Sequence, residues 1–177
     1  MTTRERIIDA ASRLFYKQGY NSTGINQVIK EADVAKASLY QHFPSKDDLL
    51  IQYLNDTAIE MNKAMKSEIA KHETPREKVL SLFDFLTVFS KQTDCGGCNF
   101  LNIASEIDSG NTAVKDIIKN QKVQTRKMFA DILKPIGKED LAEEIYLQFD
   151  AALITTKVYG EVWPIETAKR VVEKLLK

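Results

Sequence analysis

Two groups of residues in this chain have the types and spacing for chemistry. The first is Cys95-Gly96-Gly97-Cys98, two thiols held apart by two glycines. Such a pair can be a redox dithiol, half of a zinc site, or a regulatory thiol switch. A four-thiolate zinc site needs two more cysteines, and the chain contains 2 in all. The 2 histidines, His42 and His72, bring no acidic ligands at a recognisable spacing, so neither metal nor cofactor is expected. A dithiol enzyme places its CxxC at a helix start behind a strand; here a helix follows, but no strand pattern precedes it. A free cysteine is also commonly just a small buried apolar residue. These readings stay open side by side.

The second group is Lys36, Ala37, Ser38, Tyr40, Gln41 and His42. It offers cationic, hydroxyl and amide groups and no acid, which suits phosphate oxygens and base edges. Its positions follow from two short helical periods. Residues 25–32 turn Ile25, Val28 and Ile29 inward, and residues 35–43 turn Leu39 and Phe43 inward, with Val34 beside them. The connection at Asp33-Val34 requires a left-handed residue, which aspartate tolerates second only to glycine and asparagine. Two short helices with a tight turn are the helix-turn-helix plan, whose second helix enters the DNA major groove. Residues 1–47 carry seven basic against five acidic side chains, so the neutral chain is mildly positive at this end.

These groups need a scaffold, and the scaffold reads as all-α. Thr2 with Glu5 forms a capping box that opens a first helix closed by Gly19. Pro44-Ser45 with Asp48 starts a long helix to about residue 72, and Thr74-Pro75-Arg76-Glu77 restarts the next, which runs to about residue 89. Further helices are predicted over 100–107, 112–134, 141–159 and 164–176, about nine in total with no strand. With 177 residues, 44% hydrophobic and 28% charged, the chain can bury a core without staples and is neither disordered nor fibrous. No apolar run reaches the ~20 residues of a membrane span, and the N-terminus lacks a secretory pattern, so a cytoplasmic protein is expected. The change from short to long helices divides the chain softly into 1–47 and 48–177.

The stretch from Ile7 to Leu49, including Leu39-Tyr40-Gln41-His42-Phe43-Pro44-Ser45-Lys46, resembles the DNA-binding domain of the TetR family of bacterial regulators. The resemblance implies an all-helical homodimer with a three-helix head and a larger ligand-binding and dimerisation domain. It implies phosphate contacts from Tyr40, His42 and Lys46, base reading by Lys36, Ala37, Ser38 and Gln41, and a backbone contact near Thr23. Asp33 and Ala37 stand where glycine is common, and Gly24 and Ile25 where hydroxyl residues are common; these departures bear on the target sequence. The segment from Gly97 to Glu106 is similar to a Gly-Cys-x-x-x-Asn-x-Ala-x-Glu pattern of one subgroup, some of whose members sense electrophiles or oxidants.

Phe89, Cys98, Phe100, Met128, Phe149 and Tyr159 are the candidates for an effector pocket between the C-terminal helices. The resemblance assigns the last two helices to the dimer interface, where Ala151, Ala152, Thr155 and Thr156 offer a small-residue surface. The expected function is a non-enzymatic, sequence-specific regulator, a repressor released from operator DNA by a small-molecule or thiol-reactive effector. The alternative is a thiol-disulfide redox protein using Cys95 and Cys98.

Overall fold

The computed structural model describes residues 1–177 and contains nine α-helices and two single turns of 3-10 helix, with no strand. The helices are α1 (Thr3–Gln18), α2 (Ile25–Ala32), α3 (Lys36–His42), α4 (Lys46–Ile69), α5 (Pro75–Gln92), α6 (Asn99–Ala104), α7 (Thr112–Leu133), α8 (Ala142–Tyr159) and α9 (Trp163–Leu175). The all-α expectation and the helix count both hold. No helix is long and apolar enough to cross a membrane.

Helix starts follow the local chemistry. Thr2 and Glu5 make the capping box of α1, and Thr74 and Glu77 that of α5, each satisfying two N–H groups that a helix terminus otherwise leaves open. Ser45 Oγ accepts the Asp48 N–H at 3.0 Å and caps α4. Several ends differ from expectation by a turn. α5 runs on to Gln92, where Thr93 closes it by donating to the Phe89 carbonyl. α6 stops at Ala104 because Glu106 N–H bonds back three residues, to Ile103, instead of four. α4 unwinds after Ile69 through similar three-residue bonds at Lys71 and His72.

The chain forms two compact units. The first comprises Met1–Ile59 with Asn99–Lys119. In it α1 packs on α2 and α3, and Ile7, Ala10, Ala11, Phe15, Val28, Leu39 and Leu50 are buried. Phe15 meets Tyr20 and Tyr53 edge-to-face, at 5.3 and 5.7 Å between centroids. The second comprises Glu60–Cys98 with Asn120–Lys177, where α9 packs on α5 and α8. Phe149 contacts Phe83 and Phe129 edge-to-face at 5.6 and 5.4 Å. Burying each such ring contributes roughly 1.5–3 kcal/mol. The sequence boundary at 47/48 falls inside the first unit, whose edge lies further along α4, at 59/60.

Candidate functional site

α3 is only seven residues long, too short to persist alone, so its position depends on what it buries. Leu39 is fully buried and Phe43, which ends the helix, is nearly so. The turn from α2 to α3 places Asp33 at φ 50°, ψ 58°, the left-handed conformation its side chain tolerates. Arg6 donates to the Asp33 carbonyl at 2.9 Å, so α1 reaches across and fixes the turn. Arg4 spans the other end, over the Phe43 ring at 5.4 Å and bonded to Gln52 at 2.8 Å. Neither arginine was legible as a positioning residue, since the pairings join residues 27 and 48 positions apart.

With α3 held in this way, Lys36, Ala37, Tyr40, Gln41 and His42 are exposed on it, and Ser38 is half-buried. Tyr40 is 41% exposed although large and apolar, and the face carries no acid. Such a surface presents donors for phosphates and an amide able to read a base edge.

Two expected contact residues also have partners within the head. Thr23 is fully buried; its hydroxyl donates to the Gly19 carbonyl at 2.6 Å and accepts from Gln18 at 3.3 Å. It holds the loop into α2, which begins at Gly24 without a side-chain cap. Lys46 donates to the Tyr20 carbonyl at 2.6 Å and lies 4.0 Å over the Tyr20 ring. Burial lowers its pKa, against the opposing pull of Asp47 and Glu106. The Tyr20 hydroxyl donates to Asp47, and burial together with that bond pushes its pKa up. Half-buried, Lys46 finds partners within the head, because it stands one residue from Asp47 and beside an aromatic ring.

The six candidate pocket residues have different surroundings. Phe149 is enclosed by Phe83 and Phe129 as core. Phe89 stacks on Phe85 at 6.3 Å, and Tyr159 is 60% exposed against Trp163 at 5.0 Å. Phe100 is buried but belongs to the first unit, while the other five lie in the second. Helical spacing shows which face a ring occupies but not whether a neighbour fills the space. Met128 lines a cleft of the second unit, about 540 Å³ between α4, α5 and α7, with Ile69, Pro75 and Ile132 as apolar walls and Lys66, Lys127 and Asp131 at its margin.

Cys98 has chemical partners that its sequence neighbourhood does not reveal. Lys122 on α7 donates to Cys98 Sγ at 3.3 Å and to Asp150 on α8 at 2.8 Å. The lysine and aspartate side chains are 16% and 13% exposed, so this ion pair is largely out of water. Burial opposes the charge on Lys122, but Cys98 and Asp150 outweigh it and hold the ammonium above its ordinary pKa. Burial, aided by a hydrogen bond to Asp150, pushes the Tyr146 phenol up as well. Both cysteines are free, and the pair follows helix α5 rather than a strand.

Comparison with known proteins adds to this geometry. Residues 7–53 match the family model described as bacterial regulatory proteins, tetR family. The chain is 41% identical over 95 residues to the HTH-type transcriptional regulator LmrA of Bacillus subtilis, covering 52% of this chain and 48% of that protein. It therefore spans about half the length of that relative. It is 30% identical over 158 residues to the fatty acid metabolism regulator protein of Bacillus subtilis, covering 89% of this chain and 78% of the relative. In fold it is similar to the crystal structure of a transcriptional regulator from Legionella pneumophila, with a TM-score of 0.86, 21% identity, and coverage of 100% of this chain and 98% of the other.

Proposed function

This chain belongs to the TetR family of bacterial regulatory proteins, and on that premise we propose that it is an effector-responsive repressor that binds palindromic operator DNA as a homodimer. The observation that carries the reading is the acid-free face of α3, exposed along Lys36, Ala37, Tyr40, Gln41 and His42 while Leu39 and Phe43 anchor the helix. α3 enters the major groove with Gln41 and Lys36 on base edges and Tyr40 and His42 on phosphates. DNA reading belongs to residues 1–47, and effector binding and dimerisation to 48–177.

Dimerisation is supported by an unpartnered stripe on α8. Leu147, Ala151, Ile154 and Val158 are exposed at steps of four, three and four residues, with Val158 at 75%. That is the spacing of a helix–helix seam. Ala152 and Thr156, expected beside Ala151 on this surface, are buried on the opposite side of the helix. Two subunits joined here bring two heads to successive major grooves, roughly 34–36 Å apart. Release follows when an effector engages the C-terminal residues and favours a different head spacing.

Fluorescence anisotropy of the full chain with labelled intergenic DNA flanking its own gene, beside scrambled DNA, tests the reading. A preference of about a thousandfold or more, at two protomers per site, supports it. No binding to either DNA at low salt overturns it.

A further inference from the structure

The cleft between α4, α5 and α7 is built on two levels. Lys66 and Ile69 on α4 are three residues apart, as are Pro75 and Lys78 on α5, so each pair shares a helix face one turn apart. All four line the cleft, which sets two ammonium groups one turn from an apolar end. Met128 and Ile132, four residues apart on α7, form the third wall. Ile69, Pro75, Met128 and Ile132 are only half-buried, so apolar surface stays open to water at the site. The volume, about 540 Å³, lies within the range of small-molecule sites.

The charges select among ligands. The neighbouring cations Lys71, Arg76 and Lys127 are paired, with Glu68, Glu173 and Asp131. The ammonium groups of Lys66 and Lys78 have no hydrogen-bond or ion-pair partner. Of the two lining carboxylates, Asp131 is neutralised by Lys127 at 2.7 Å and Glu73 is unpaired. Three lysines against two acids leave the lining with an excess of one positive charge. A single anionic group between Lys66 and Lys78 makes charge-assisted hydrogen bonds to both. A dianion is opposed by Glu73 as well, and a cation is opposed by two unshared ammonium groups.

Resting on the regulatory reading above, we propose that this cleft is the effector site and that the effector is a medium-chain alkyl carboxylate. Its carboxylate sits between Lys66 and Lys78, and its chain runs along Met128 and Ile132 to Ile69 and Pro75. Occupation bears on the DNA-binding head through the walls themselves. α4 and α7 both continue into the first unit, at 59/60 and 119/120. Close to those passages Asn62 and Gln121 exchange side-chain hydrogen bonds at 3.3 and 3.2 Å, which join α4 to α7. A chain wedged between the two helices works against this clamp, and the strain reaches both helices where they enter the first unit.

Isothermal titration calorimetry of the full chain with octanoate, decanoate, decan-1-ol and decyltrimethylammonium, with DNA anisotropy in parallel, tests this. Decanoate should bind about tenfold more tightly than octanoate, because two more methylenes are buried. It should exceed decan-1-ol by about tenfold, and decyltrimethylammonium should not bind. The Lys66→Gln/Lys78→Gln double variant removes both ammonium groups and breaks no bond of the fold. It should lower decanoate affinity about tenfold or more and leave that of decan-1-ol unchanged. Saturating decanoate should weaken specific DNA binding by the unaltered chain about tenfold. Absence of decanoate binding, equal binding of the alcohol or the cation, no gain from octanoate to decanoate, or an undiminished affinity in the folded double variant overturns the site. Decanoate bound with DNA affinity unchanged overturns its role as effector. If the ligand-free chain shows no DNA preference, the regulatory reading fails and the release step with it, while calorimetry still decides the site.

Discussion

The Glu106 carboxylate accepts the Asn21 backbone N–H at 2.8 Å, and the Asn21 amide donates back to the Glu106 carbonyl at 2.7 Å. The residues are 85 positions apart, and the pairing fixes the segment after α6 to the loop that leads into α2. Gly19 makes the approach possible. Its φ is +91°, and a Cβ added there would lie 2.7 Å from Glu106 Oε1.

Gly19→Ala should therefore destabilise the protein by about 1–3 kcal/mol, through backbone strain and displacement of Glu106 together. Urea unfolding measures it. In a Glu106→Ala background, where the crowding and the bond to Asn21 are already gone, Gly19→Ala should still cost part of this, because the positive φ remains. No cost in that background would show that the backbone is unstrained and that crowding is the whole effect.

The exposed face of α3 and the enclosed Thr23 predict different responses to substitution. Lys36→Ala removes one base-directed donor from each protomer, so the preference for operator over scrambled DNA should fall by about tenfold or more with the fold intact. Thr23→Val deletes the hydroxyl bonded to Gly19 and should cost about 1 kcal/mol of stability with the salt slope unchanged. A lowered slope in Thr23→Val would return Thr23 to the DNA contacts. Anisotropy at several salt concentrations separates these outcomes.

The contrast between Thr23 and Lys36 shows what the sequence could carry. Local signals were sufficient for the capping boxes at Thr2 and Thr74, for the left-handed Asp33 and for the burial of Leu39 and Phe43, because each depends on neighbours within a turn or two. Those signals fix α3, and with it which of its side chains are exposed. The internal bonds of Thr23 and Lys46 were not legible, because their partners, Gly19 and Tyr20, are supplied by the tertiary path of the loop. The Cys98–Lys122–Asp150 contacts were illegible for the same reason, joining α7 and α8 to a loop 24 residues or more away. For the pocket residues, periodicity identifies the inward face, but only packing tells filled space from a cleft.

Buried polar atoms offer a stability test that sequence does not suggest. Thr156 is fully buried on α8, and its hydroxyl has no hydrogen-bond partner. An unsatisfied buried hydroxyl costs roughly 1–3 kcal/mol, and valine has the same shape without it. Thr156→Val should stabilise the protein by about 1 kcal/mol and raise Tm by about 2–4 °C. Destabilisation would mean that the hydroxyl is satisfied in solution by a buried water.

The α8 stripe predicts how far one substitution should weaken the dimer, and symmetry sets the size. In a two-fold interface each substitution occurs twice, so the loss of one buried leucine side chain counts double. Leu147 is 62% exposed in the single chain and lies on the face with Ile154 and Val158. Leu147→Glu should remove about 1.5–3 kcal/mol per protomer, and every 1.4 kcal/mol is tenfold in dissociation constant. The dimer should weaken by more than about a hundredfold, before the repulsion of two apposed carboxylates is added. Analytical ultracentrifugation reads the assembly, and circular dichroism checks that the helices persist. Operator affinity should fall with dimerisation, since a single head holds only one half-site. A Leu147→Glu protein that stays dimeric places the interface on another surface of the second unit.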